Sequence, residues 1–250
     1  MLTIDVHTCV DPGARDHNED DVRIAPVGVL AWAVLSDGAG GHSRGAEASR
    51  RVVTTVEQAL TWAGGQPAAR LDPAVLRGAI EHAHAQLNAD PAARQGRHHM
   101  HATVVALWID RARGEAIWAH VGDSRLYLLR GGVAQALTRD DSVVQQMVDA
   151  GFLTAEEAQR HPRKNQLLCA LGGAEPIEVH MTQAPLALQP GDAFLLCSDG
   201  WWDVVRPDAI ARTREHALDA ADWLHRMASL IREAALPNQD NYSAVGLWID

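Results

Sequence analysis

The chain has 250 residues, 47% of them hydrophobic and 22% charged, enough for one large core without requiring two domains. Its 20 glycines and 11 prolines are ordinary and exclude a fibrous or collagen-like chain. With 22 basic against 32 acidic residues the net charge is −10. That balance lacks the footprint of a nucleic-acid binder and suits a protein that gathers carboxylates around cations.

The longest apolar runs, residues 27–35 and 102–109, are too short to span a bilayer, and the N-terminus has no basic start followed by an apolar stretch. Three widely spaced cysteines (Cys9, Cys169, Cys197) without a CxxC pair argue against a disulfide framework or a zinc ribbon. The expectation is a soluble, cytoplasmic, monomeric globule that partners neither nucleic acid nor membrane.

In chain order, residues 3–10 alternate like a half-buried strand, and 27–35 form a β-branched apolar run that stops at Ser36-Asp37-Gly38. Helical spacing follows over 45–63. It returns over 72–88, where Asp72 caps and Pro73 takes the first helical position. Strand-like segments at 103–109, 116–121 and 125–129 are joined by short connections, which predicts antiparallel hairpins. Two short helices fit 141–150 and 154–161, the second opening on a Thr154-to-Glu157 capping box. Strands are expected at 177–182 and 193–197, helices at 207–216 and 220–235, and a last strand at 242–248. The order reads as α+β: two mainly antiparallel sheets face to face with helices outside, a four-layer α-β-β-α sandwich in a single domain over 1–250.

The acids fall at strand ends. Asp37, Asp123 and Asp199 each end or separate strand segments, Asp240 precedes Asn241 and the last strand, and Glu19 and Asp20 sit between the first two strand segments. Asp and Gly belong in turns on backbone grounds alone, but a sheet brings strand ends together, and clustered carboxylates repel unless cations lie between them. Oxygen ligands without cysteine favour Mg²⁺ or Mn²⁺ over zinc.

The segments Arg15-Asp-His-Asn-Glu-Asp20, Ser36-Asp-Gly-Ala-Gly-Gly-His42, Val121-Gly-Asp-Ser-Arg125, Cys197-Ser-Asp-Gly200 and Asp240-Asn241 resemble, in order and spacing, the motifs of the metal-dependent (type 2C, PPM) serine/threonine protein phosphatases. The likeness runs from about Arg15 to Asp250. It implies two Mn²⁺ or Mg²⁺ ions bridged by Asp37. The Gly38 carbonyl, Glu19 and Asp20 would serve one ion, Asp199 and Asp240 the other, and Asp123 with Asp199 a possible third. It also implies that a hydroxide bridging the two ions attacks phosphorus directly, that Arg15 binds the phosphate, and that His42 is a candidate general acid. Residues 140–171 match a flap beside the active site, on which Arg160, His161, Arg163 and Lys164 are candidates to steer phosphorylated substrates.

Two departures stand out: Ala39 where bacterial relatives usually carry methionine, and His99-Met-His-Ala-Thr103 in place of a glycine-rich turn. His98, His99 and His101 within it are read as a solvated loop rather than a soft-metal site. Cys9 and Arg15 match Cys-x5-Arg, but the acidic stretch 17–20, with Glu19 and Asp20, would repel phosphate and raise the thiol pKa, so a thiolate mechanism is set aside. The alternative from another class is a catalytically silent pseudophosphatase that binds phosphoproteins as a scaffold, whose mark would be a lost metal carboxylate; none is missing. No kinase, sensor or membrane segment is expected after the last strand. The chain is expected to act in trans on phosphorylated proteins, opposing a serine/threonine kinase, with signalling and type VI secretion control both open as pathways.

Overall fold

The computed structural model describes residues 1–25, 28–39, 43–90, 100–173 and 176–250. Strands β1 (Ile4–Asp11), β2 (Asp20–Ala25) and β3 (Leu30–Ala39) are followed by helices α1 (Ser43–Gly64) and α2 (Pro73–Asn88). Asp72 caps α2 by accepting from the Ala74 amide at 2.9 Å, and Pro73 sits in the first turn, where a missing N–H costs little. Next come β4 (His101–Ala102), β5 (Val104–Asp110), β6 (Glu115–Val121), β7 (Arg125–Arg130) and β8 (Val133–Ala136). Helices α3 (Val143–Asp149) and α4 (Ala155–Arg160) follow, the second opened by the expected Thr154–Glu157 capping box. Short strands β9 (His180–Met181) and β10 (Leu186–Ala187) precede β11 (Ala193–Cys197); then α5 (Asp199–Trp202), α6 (Pro207–Glu215) and α7 (Ala220–Ala234) lead to β12 (Tyr242–Ile249).

One sheet has the order β1-β12-β11-β7-β8 and the other β10-β6-β5-β3-β2, with β4 added to β3 and β9 to β6. Every pairing between these strands is antiparallel, as short connections require. The two-residue period of the strands then sorts side chains into layers. Ala31, Ala33, Leu35, Val105, Leu107 and Ile109 of β3 and β5 point inward and meet Leu126, Phe194, Leu196, Val245 and Leu247 of the facing sheet. Their neighbours Trp32, Val34, Val104, Ala106 and Trp108 point outward into a core closed by α1 and α2. On the other side Tyr127, Leu195, Cys197 and Ala244 face α5, α6 and α7 through Trp201, Trp223 and Leu224. The α-β-β-α layering follows from strands that are apolar on both faces.

The structure corrects some boundaries. β3 does not stop at Ser36-Asp37-Gly38 but runs on to Ala39, because β2 pairs with it up to Asp20↔Asp37 and β4 takes over at Gly38↔Ala102. The stretch 20–25 is itself a strand, an edge whose Val22 and Ile24 face inward while Asp21 and Arg23 pair with each other. The strand expected over 177–182 shortens to His180–Met181, and β8, β10 and the one-turn α5 were not anticipated. The glycine-poor departure before Thr103 keeps a regular backbone where it is described, since Ala102 and His101 pair with Gly38 and Ala39. His98 and His99 lie outside the described residues.

The inner core carries the stability. Phe194, fully buried between the sheets, should cost about 3–5 kcal/mol on Phe194→Ala, whereas Phe152→Ala, at a side chain 77% exposed, should stay within about 0.5 kcal/mol. Urea denaturation checks both, and equal losses would contradict this layering.

Candidate active site

A cleft of about 570 Å³ opens at one end of the sandwich, lined by Arg15, Asp16, His17, Glu19, Asp37, Gly38, Thr103, Asp123, Asp199, Asp240 and Asn241, with Asn165 and Leu167 at its edge. Both sheets contribute. Asp20 and Asp37 are cross-strand partners on β2 and β3. Asp199 opens the one-turn helix after β11, Asp240 sits just before β12, and Asp123 occupies the turn from β6 to β7.

Each acid is held by its backbone. The Asp37 amide donates to Thr103 Oγ1 at 3.0 Å, the Thr103 amide donates back to the Asp37 carbonyl at 2.8 Å, and Ser36 Oγ donates to the Thr103 carbonyl at 2.6 Å. Asn241 fastens the Arg15–Glu19 loop to the last strand: its Nδ2 donates to the carbonyls of Pro12 and His17, both at 2.9 Å, while its Oδ1 accepts from the Glu19 amide at 2.8 Å. The Trp202 indole donates to the Asp123 carbonyl at 2.9 Å. Gln239 Nε2 donates to the Gly200 carbonyl at 2.9 Å. Gly38, Gly45 and Glu19 approach so closely that a Cβ on Gly38 would collide with the Gly45 carbonyl oxygen, and one on Gly45 with the Glu19 carboxylate.

The electrostatics are unfavourable as they stand. Burial, then the charges of Asp20, Asp199, Asp123 and Asp240, hold the Asp37 carboxyl well above the usual carboxylate range. Burial and then Asp123, Asp240 and Asp20 do the same to Asp199. Burial pushes Asp123 up to about 7, with Asp140 adding to the rise and Arg125 opposing it. It pushes Asp20 up to about 6 although the Ser198 hydroxyl donates to Asp20 Oδ2 at 2.9 Å; Asp20 Oδ1 is buried with no donor. A set of acids destabilised in their charged form by burial and by one another is chemically suited to a divalent cation. The donors are oxygens throughout, as a hard cation requires. As they stand, no three His, Cys, Asp or Glu side chains among the described residues close into a ligand cluster; the carboxylates ring the cleft.

The remaining expected residues are placed unevenly. Arg15 lies on the rim, its Nη2 donating to Asp240 Oδ2 at 2.8 Å with both side chains solvated. His42 lies outside the described residues. Among the four residues expected to steer substrate, Arg160 pairs with Glu156 at 2.9 Å, the Arg163 side chain donates to Gln166 Oε1 at 2.7 Å and its amide to His161 Nδ1 at 3.2 Å, and Lys164 pairs with Asp203. None of the four lines the cleft. Asn165, which donates to Asp199 Oδ2 at 3.2 Å, and Leu167 do so instead. Cys9 sits on β1 against the outer core, and burial, then Asp11, raises its thiol pKa, so it has no thiolate to offer. Sequence reasoning missed Thr103 and Asn165 as parts of the site, and named Asn241 in the Asp240-Asn241 motif without giving it a role. Asn241 alone carried a signal, as an amide beside Asp240 at the mouth of the last strand.

The family profile described as Protein phosphatase 2C matches residues 14–243. The serine/threonine protein phosphatase PstP of Mycobacterium tuberculosis is 36% identical over 232 residues, covering 92% of this chain; the chain spans 42% of that relative's length. The crystal structure of the PstP catalytic domain in complex with two manganese ions superposes with a TM-score of 0.82 at 31% identity, over 100% of this chain and 99% of that one. PppA, described as a key regulatory component of the type VI secretion system in Pseudomonas aeruginosa, superposes with a TM-score of 0.80 at 30% identity over 100% of each chain. With a matching profile over most of its length and the same two-sheet architecture, the chain belongs to the protein phosphatase 2C family.

Proposed function

We propose that the chain hydrolyses phosphoserine and phosphothreonine monoesters in proteins, with two Mn²⁺ or Mg²⁺ ions held by the acids of the cleft. The observation that carries this reading is the set of Asp37, Asp123, Asp199 and Asp240 lining one cleft, with Asp20 opposite Asp37 on the neighbouring strand, its Oδ1 buried and unpartnered, and the Asp37 and Asp199 carboxyls forced up by burial and mutual repulsion. The manganese-bound PstP catalytic domain supports the choice of metal.

In this reading Asp37, Glu19, Asp20 and the Gly38 carbonyl would hold one ion, Asp37, Asp199 and Asp240 the other, and Asp123 with Asp199 would hold a third. When bound, the metal would supply Lewis acidity, lowering the pKa of a bound water and offsetting phosphate charge. Arg15 meets the substrate phosphate with its fork of N–H donors. Releasing it from Asp240 breaks one solvated ion pair, worth about 0–1 kcal/mol. The Thr103 and Asn241 hydrogen bonds hold the backbones of Asp37 and Glu19 against the repulsion of the set. His42 is assigned as proton donor to the departing alkoxide. Residues 1–250 act as one catalytic unit with 140–171 as its flap, as a monomer in the cytoplasm opposing a serine/threonine kinase. For the chain itself, no helix among the described residues is long and apolar enough to cross a membrane. The likeness to PppA brings type VI secretion control forward as one candidate pathway.

Hydrolysis of a phosphothreonine peptide should appear with Mn²⁺, vanish with a chelator and survive thiol alkylation. Inactivity under every metal tried would turn the reading to a phosphoprotein-binding scaffold. Asp37→Asn and Asp199→Asn should each lower kcat/KM about 100-fold or more. Both variants should melt no lower than wild type in the absence of metal, because each removes a carboxylate that its neighbours repel. Retention of more than a few per cent of activity by either would overturn the site assignment.

A further inference from the structure

A second cavity, of about 230 Å³, lies between the flap helices and the β7–β8 hairpin. Ala136 on β8, Val144 and Val148 on α3, and Ala155 and Ala158 on α4 give it an apolar side, beside the polar Thr138, Gln145 and Gln159. It adjoins the cleft. Lys164 lines this cavity and the next residue, Asn165, lines the cleft and donates to Asp199. Trp202 lines it as well, while its indole N–H holds the carbonyl of Asp123.

Three cations stand at the rim, and each already has a carboxylate. Arg125 forks onto Asp140 at 2.9 and 2.7 Å and stacks on Trp202 at 3.6 Å. Arg139 pairs with Asp149, and Lys164 with Asp203. The rim therefore holds no uncommitted charge for a phosphate or an acidic side chain. What the cavity offers beyond those paired charges is the apolar side of Ala136, Val144, Val148, Ala155 and Ala158 with the Trp202 ring, of a size that admits one aliphatic or aromatic side chain, beside the cleft.

Resting on the phosphatase reading of the cleft, we propose that this cavity is a specificity subsite for an apolar side chain flanking the phosphoserine or phosphothreonine of the protein substrate. Seating that side chain buries it between α3, α4 and Trp202 and fixes the peptide against the flap, so recognition extends beyond the phosphate.

The test compares phosphothreonine peptides carrying Leu, Ala or Asp at each flanking position, with an aryl phosphate as a substrate that has no flanking residue. Wild type should favour Leu over Ala by about tenfold in kcat/KM at one position, the scale on which a filled apolar pocket discriminates, and should disfavour Asp there. Ala155→Trp and Ala136→Trp, at exposed lining positions, fill the cavity from opposite walls. In each, the kcat/KM ratio of the Leu peptide to the aryl phosphate should fall about tenfold, while the ratio for the Ala peptide stays near its wild-type value. No flanking preference, a preference for Asp, or a Leu preference that survives both fillings would overturn the subsite. Failure of wild type to hydrolyse the aryl phosphate and all peptides would overturn the phosphatase reading beneath it.

Discussion

Carboxylates gathered with little water between them repel, and this fold forces several into one such place. The antiparallel sheets return their strands to a common rim, where β2 and β3 of one sheet deliver Asp20 and Asp37 and the ends of β11, β12 and the β6–β7 turn deliver Asp199, Asp240 and Asp123. The inner core of Phe194, Leu196, Leu35 and Val105 fixes the separation of the sheets, so the acids cannot drift apart without unpacking the interior. Thr103, Ser198 and Asn241 restrain the backbones and side chains that would otherwise relax. Stability spent in this way at a strand-end rim is the usual mark of a site that expects a cation.

The same rim is tied to the segment 140–171. Trp202, on the turn begun by Asp199, holds the carbonyl of Asp123 and carries the guanidinium of Arg125, which in turn clamps Asp140 at the start of that segment. Asn165 reaches from it to Asp199 itself. The segment is thereby linked to elements that position two of the acids, and the cavity beneath α3 and α4 lies within the same set of contacts.

Much of this was legible in the chain. The apolar, β-branched runs at 27–35 and 103–109 read as buried strands, and the order of elements with short connections read as two antiparallel sheets with helices outside. The acids stood out because each shared one context, a strand end beside Gly, Asn or another acid. Edge strand β2 was hidden because Val22 and Ile24 alone carry its inward face, too short an alternation to stand out, and β3 was cut short because Ser36-Asp37-Gly38 has the composition of a turn while its partners hold it extended. Thr103 and Asn165 were illegible for another reason: their roles come from neighbours 66 and 34 residues away in sequence, and no local pattern records such a contact. That Arg160, His161, Arg163 and Lys164 stand outside the cleft lining was illegible on the same ground, since charge marks a surface and not the direction it faces.

The central claim is that the ring of carboxylates needs a divalent cation to be at rest. Thermal melting with and without Mn²⁺, at pH 5 and pH 7.5, addresses it most directly. Asp20 and Asp123, raised to about 6 and about 7, take up protons on folding, so their contribution is present at low pH and is lost as pH rises through those values. The metal-free protein should accordingly lose stability from these groups between the two conditions. Mn²⁺ at about 100 times its Kd should raise Tm by about 5–10 °C at pH 7.5, by clearly less at pH 5, where protons compete, and by little in Asp37→Asn. A Tm that Mn²⁺ does not move at pH 7.5, or moves equally in wild type and Asp37→Asn, would contradict the account.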